Sequence, residues 1–212
     1  MNTDIALDKT NSRRVRHREM LRQSILDAAR ELFIAEGYEN LSIRKVAERI
    51  EYSPTIIYHY FQDKSDLVYW LVAESFSSLL EKLSGIRAQT PDPLECLRKS
   101  GRAFADFALT FPNHYRAAFL QPIQPRGERE KARYLSPEAM GIMTFNYLRL
   151  LVADCIKQNK FREVDIDLTA KFLFAAVHGI TTFLIVHPDF PWGDRDQIVD
   201  YVIDSAINSF TV

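Results

Sequence analysis

Apolar residues recur along most of this chain at intervals of three and four, the period of a helix buried on one side. From about Arg18 to Glu36 the stripe is Leu21, Ile25, Ala28 and Leu32, widened by Ala29 and Phe33. Gly37 follows and can take the left-handed conformation that ends a helix. Asn40 and Ser42 offer caps for a short second helix, whose inward face is Ile43, Val46, Ala47 and Ile50. Ser53-Pro54 is a strong start for a third: a hydroxyl cap, then a proline whose missing donor costs nothing at the first position. About eight residues later Asp63 caps a long helix to about Ser84, with Leu67, Leu71, Val72, Phe76, Leu79, Leu80 and Leu83 inward.

The same reading continues to the end of the chain. Gly85 to Pro93 is a linker, and Leu94, Leu97, Gly101, Phe104 and Ala108 mark a helix stopped at Phe111-Pro112. Pro112 opens a short helix to about Leu120, and Gln121 to Arg133 is a loop. Ser136-Pro137-Glu138 starts a helix to about Gln158, and Asp165 starts a strongly apolar one to about Val186. After the turn His187–Gly193, Asp194 caps a last helix with Val199, Val202, Ala206 and Phe210 on one stripe. The expected fold is all-α, with about nine helices. Residues 1–17 form a flexible basic arm, 18–62 a helix-turn-helix domain of three helices, and 63–212 a helical body. The two shortest helices are not stable alone and must pack on the first.

Composition changes this picture little. The chain has 212 residues, 27 Lys and Arg against 28 Asp and Glu, and a net charge of −1, so total charge gives no support for nucleic-acid binding. Residues 1–64 carry eleven Lys and Arg against ten Asp and Glu, a net of +1, so any positive face must come from arrangement. Local clustering is more informative: Arg13, Arg14, Arg16, His17 and Arg18 lead into the first helix, as a solvated start or a phosphate-touching arm. No apolar run approaches the ~20 residues of a bilayer span, and no signal peptide is evident, which implies a cytoplasmic protein. Cys96 and Cys155 fit no metal spacing and read as buried thiols rather than a redox pair.

The third helix carries the chemistry. Reading base edges takes side chains that donate and accept hydrogen bonds at the exposed N-terminal end of a helix. Ser53, Thr55, Tyr58 and His59 supply them, while Ile57 and Phe61 anchor the helix. The stretch AARELFIAEGYENLSIRKVAERI followed by SPTIIYHYFQDKSDL, with Tyr58-His59-Tyr60-Phe61, Lys64 and Leu67 as its signature, resembles the N-terminal domain of the TetR family of bacterial transcription regulators. That resemblance implies phosphate contacts by Ser42, Arg44, Tyr58, His59 and Lys64. It also implies a homodimer on a near-palindromic double-stranded DNA operator, and a body that binds a small-molecule effector. Three positions depart from the family pattern: Glu51 where a glycine is usual, Thr55 where a small residue is common, and Ile56 where a hydroxyl is. A non-glycine residue at Glu51 must take a costly left-handed conformation or alter the turn.

FPNHYRAAF (Phe111 to Phe119) and AAVHGITTFLIVHPDFPW (Ala175 to Trp192) resemble the ligand domain of one TetR subgroup, with His178-Gly179 as its most distinctive step. Candidate pocket residues are Phe76, Phe104, Phe107, Tyr115, Phe119, Phe145, Tyr147, His178 and Phe183, each of which is also explained as ordinary core. His114 and Tyr115 equally suit a surface position. The resemblance further implies that the two last helices meet their symmetry mates. His17, His59, His114, His178 and His187 are scattered, and no phosphate-cradling glycine loop, metal motif or nucleophile elbow is present, so no enzyme, cofactor or metal site is expected. The expectation is a ligand-responsive repressor. A partner-controlled regulator or activator stays open, as does, in another class, a helical-bundle enzyme or carrier.

Overall fold

A computed structural model of the chain describes residues 2–120, 136 and 139–212. Among them are nine α-helices: α1 Asn2–Asn40, α2 Ile43–Arg49, α3 Pro54–Tyr58, α4 Lys64–Gln89, α5 Pro93–Thr110, α6 Pro112–Tyr115, α7 Met140–Lys157, α8 Ile166–Val186 and α9 Arg195–Asn208. A π-helical turn, Arg116–Leu120, follows α6. No strand occurs among the described residues, only an isolated antiparallel bridge between Phe161 and Thr211. The chain divides into two compact units, Met1–Val72 with Arg116–Ile123 and Ala73–Tyr115 with Gln124–Val212.

The first unit closes around Ile25, Ala29, Phe33, Leu41, Val46, Ile57, Phe61 and Leu67, all essentially inaccessible to solvent. Each large side chain there contributes about 1.5–3 kcal/mol by leaving water. α1 starts at Asn2 rather than near Arg18, so the described part of the arm expected at 1–17, residues 2–17, is helix instead. The physical reason is that residues 2–36 contain no glycine or proline, so nothing interrupts the backbone ladder. Gly37 breaks it at φ 76° and ψ −179°, a conformation only glycine takes readily.

α2 begins where Ser42 Oγ accepts the Lys45 backbone N–H at 3.2 Å. It ends with Tyr52 N–H donating to the Ala47 carbonyl (2.9 Å) and Glu51 N–H to that of Glu48 (3.3 Å). That pairing needs a left-handed residue, and Glu51 supplies it at φ 59°. The strain expected at this turn is therefore present. Glu51→Gly is expected to stabilise the fold by up to ~1 kcal/mol, relief of the left-handed penalty being partly offset by a more flexible unfolded chain. A melting curve checks this; a lower midpoint would count against it.

α3 is one turn shorter than expected. Past Tyr58 the ladder tightens to three-residue spacing, with His59 N–H on the Ile56 carbonyl (3.2 Å) and Tyr60 N–H on that of Ile57 (2.9 Å). Asp63 then opens α4, its Oδ1 accepting Asp66 N–H at 3.0 Å while Asp66 Oδ2 accepts Gln62 N–H at 3.0 Å.

α4 runs through Gly85, expected in a linker, to Gln89. A mid-helix glycine costs only ~1 kcal/mol, and Arg87 pairs with Asp154 at 2.6 Å. The real stop is Pro91, which forbids helical geometry at Thr90.

In the second unit, Asp165 and Asp194 cap α8 and α9 by accepting backbone N–H groups of the first turn, as expected, and Asp92, expected in a linker, caps α5 in the same way. α8 packs against α5, α7 and α9, and α5 also packs against α7 and α9. The inward face of α9 is Val199, Ile203, Ala206 and Ile207 rather than a stripe ending at Phe210, because the helix stops at Asn208. α7 starts at Met140, not Ser136; Pro137, Glu138 and the loop expected at Gln121–Arg133 lie outside the described residues. α8, with 21 residues and a mean hydropathy of 1.6, reaches the length and composition of a bilayer span, contrary to expectation. By its packing it is a central helix of this unit, and it carries Asp167, Lys171 and His178 along its length.

Candidate nucleic-acid interface and body cavity

On the first unit, the short α3 leaves Ser53, Thr55, Tyr58 and His59 exposed, Tyr58 with 56% of its surface accessible. Ile57 and Phe61 turn inward at 0% and 1%, so the helix is anchored by the residues expected to anchor it. Ser53 stands at the cap position, yet its side chain makes no capping bond. Its hydroxyl is thus not consumed by the helix start. Tyr52, exposed beside it, was not singled out by sequence; its position just outside a helix gives no periodic signal.

The cations near α3 are mostly engaged. Arg44, 82% exposed, pairs with Glu48 at 2.8 Å; Lys45 pairs with Glu36 at 2.5 Å and Arg49 with Glu31 at 2.7 Å. Exposed pairs of this kind are worth about 0–1 kcal/mol. A phosphate oxygen can therefore displace a carboxylate at little cost. Lys64 is half-buried, its ammonium 4.2 Å from the centre of the Tyr38 ring and donating to the Glu39 carbonyl at 3.3 Å. Burial holds its pKa below the usual lysine range, with Glu39 opposing. Ser42, also half-buried, spends its oxygen on the α2 cap. Arg14, Arg16, His17 and Arg18 are exposed along α1.

On the second unit, α4, α5, α7, α8 and α9 line a cavity of about 70 Å³. Of the aromatic and histidine candidates, Phe104, Tyr147 and His178 line it. Phe76, Phe107, Tyr115, Phe119, Phe145 and Phe183 do not. Phe76 packs edge-on against Phe107, Phe145 against Phe174, and Phe183 is 53% exposed beside Trp192. Phe119 belongs to the other unit. Leu83, Leu97, Ser100, Thr144, Leu173, Phe174, Val177, Ile203 and Ala206 are lining residues that sequence reasoning missed. Periodicity shows which face is inward, but a void depends on which inward side chains fail to meet.

Two buried phenols organise this region. Tyr115 is wholly buried, and with it His114 at 2%, so neither is a surface residue. Tyr115 Oη lies 2.8 Å from His178 Nδ1 and 2.8 Å from Thr182 Oγ1. Burial raises its pKa. His178 is pushed down to about 4 by burial and is a neutral imidazole near pH 7. Phe174 and Phe104 pack tilted against the ring, with centroids 3.9 and 4.8 Å away.

Tyr147 Oη donates to the Leu83 carbonyl of α4 at 2.7 Å and lies 3.1 Å from Ser100 Oγ and 3.8 Å from Cys96 Sγ. Burial pushes its pKa up to about 12. Cys155 is likewise raised to about 12, chiefly by burial, and both cysteines are buried free thiols.

A three-helix reader with hydrogen-bonding groups displayed on a short helix, together with a separate helical body, defines a helix-turn-helix transcription regulator. The model of bacterial regulatory proteins of the tetR family matches residues 25–69, and that of the tetracyclin repressor-like C-terminal domain matches residues 97–206, more than half the chain. The chain belongs to the TetR family of DNA-binding transcriptional regulators. HTH-type transcriptional regulator SAR2658 of Staphylococcus aureus (strain MRSA252) is 26% identical over 141 residues, 66% of this chain and 72% of that protein. HTH-type transcriptional regulator SAB2452 of S. aureus (strain bovine RF122 / ET3-1) is 28% identical over 90 residues, and the match spans 46% of that relative's length.

Among solved structures, the TetR family regulator PfmR from Thermus thermophilus superposes with a TM-score of 0.66 at 22% identity, covering 87% of this chain and 97% of that one. FadR from Bacillus subtilis, solved in complex with stearoyl-CoA, gives 0.73 at 17%, covering 89% and 98%. These similarities establish the fold.

Proposed function

We propose that the protein acts as a homodimeric, ligand-responsive repressor that reads a near-palindromic operator with α3. The observation that carries the dimer is an apolar stripe on α8. Leu168, Phe172, Phe183 and Val186, spaced by 4, 11 and 3 residues, share one helix face and are 40–65% exposed. Tyr201 on α9 is exposed too. Large side chains aligned this way gain by meeting the same stripe of a second copy, and a two-fold pair of readers suits two half-sites about one helical turn apart.

The cavity supports ligand response, as does the acyl-CoA found in the B. subtilis FadR structure. α4 carries Leu67, Val68 and Leu71 in the core of the first unit and Leu83 at the cavity. A ligand that favours one placement of this helix shifts the population of reader orientations. A second reading, a regulator controlled by a partner protein or acting as an activator, is favoured by the small cavity volume.

A gel shift against the protein's own promoter region, repeated across salt concentrations, tests the regulator; no sequence-specific binding at any salt would overturn it. Tyr58→Ala and Lys64→Ala are each expected to weaken operator binding by about tenfold or more, the size of a lost 1–3 kcal/mol contact. Lys64→Ala should also reduce the salt slope by about one. Both variants are expected to stay dimeric by light scattering. Unchanged affinity in both would show that α3 and the start of α4 do not face DNA.

A further inference from the structure

The ligand-responsive reading leaves the chemical class of the ligand open, and the cavity lining narrows it. Among the described residues that line it, none is Asp, Glu, Lys or Arg; the polar ones are Ser100, Thr144, Tyr147 and His178. A carboxylate, phosphate or ammonium placed there would lose its hydration with no opposite charge to meet it, a cost that excludes it. The volume of about 70 Å³ sets the size. An apolar cavity of about 150 Å³ holds benzene, so one of this size admits nothing larger than a single small ring.

The polar wall has a direction. Tyr147 has one hydroxyl proton, and it donates to the Leu83 carbonyl. Ser100 Oγ, 3.1 Å from Tyr147 Oη, must then be the donor in their mutual bond. Its proton spent, the Ser100 oxygen offers lone pairs alone, so it accepts from a ligand donor, of which a hydroxyl is the smallest neutral one.

We propose that the cavity takes a neutral, compact, mainly apolar molecule of phenol size bearing one hydroxyl group, which donates to Ser100. This assignment rests on the ligand-responsive reading above. The Ser100–Tyr147–Leu83 chain also gives the ligand a direct connection to the backbone of α4. A proton donated to Ser100 Oγ polarises the serine hydroxyl, and through it the Tyr147 bond to the Leu83 carbonyl.

The test is calorimetric titration of the full-length protein with three probes of similar shape: phenol, toluene and benzoate. Phenol is expected to bind about three- to tenfold tighter than toluene, the value of one neutral hydrogen bond. Benzoate is expected not to bind measurably. Ser100→Ala, a small change, should erase the preference for phenol while keeping toluene binding. Ala206→Ile, which fills space in the lining, should abolish both.

Benzoate binding as tightly as phenol, an unchanged phenol preference in Ser100→Ala, or no binding of phenol and toluene to the wild type would each overturn the assignment. If Ala206→Ile fails to fold, the Ser100→Ala comparison decides alone. The underlying reading is judged separately by gel shift. Probes that bind as expected but leave operator affinity unchanged when saturating would fault ligand response and leave the pocket assignment standing.

Discussion

Replacing Phe172 and Phe183 together by glutamate is expected to turn the protein into a monomer and weaken operator binding by about 10²–10⁴-fold, the gain that linking two binding modules supplies. Both rings lie on the exposed stripe of α8 and are 49% and 53% accessible in the single chain. In a two-fold interface each substitution occurs twice, so four carboxylates would be pressed into an apolar contact. The folded protomer should tolerate the change: glutamate favours helix, and neither side chain is in the core. Light scattering reads the mass, circular dichroism the helix content, and a gel shift the affinity. A variant that remains a dimer with unchanged operator affinity would place the subunit contact elsewhere.

Phe33→Ala is expected to destabilise the reader by ~3–5 kcal/mol, the range for removing a buried phenyl ring. Phe33 is wholly buried on α1, in the cluster that also holds Ile57 and Phe61 of the reading segment. A small domain is stable by only about 5–15 kcal/mol, so this loss removes a large part of the total. The calorimetric midpoint of the reader should fall by more than about 10 °C. Operator binding at 37 °C should fall with it. Tyr58→Ala is the counterpart: it removes an exposed ring, so affinity drops while the midpoint stays. A Phe33→Ala midpoint within a few degrees of wild type would mean that the core around α3 repacks more freely than its burial suggests.

Much of the first unit was legible in the sequence because its signals are local. Ser42 and Asp63 there, like Asp165 and Asp194 in the second unit, announce helix starts through side chains that reach backbone groups two or three residues away. Glu51 stood out only through the family resemblance, which puts a glycine there, and of the two outcomes left open its φ of 59° is the left-handed one. Where local signals misled, a neighbouring term was larger. Gly85 weakens a helix by too little to end it, and the absence of any breaker before Gly37 let α1 begin at Asn2.

The cavity was legible only in part. Phe104, Tyr147 and His178 were identifiable as aromatic or unusual residues on apolar faces. Ser100, Thr144 and Ala206 were not, since small residues on an inward face look like ordinary packing. Nor did the pattern show that Lys45 and Arg49 of α2 would pair with Glu36 and Glu31 of α1. By itself, the sequence determined the order of the helices, several of their caps, most inward faces and the display of Ser53, Thr55, Tyr58 and His59 on and around α3. Those follow from periodicity and from contacts within one or two turns. Only the tertiary structure decided that Tyr147 reaches the Leu83 carbonyl, that Tyr115 holds His178, and that space remains between α5 and α9. These depend on how side chains from helices distant in sequence fill the volume between them, and no spacing along one chain encodes that volume.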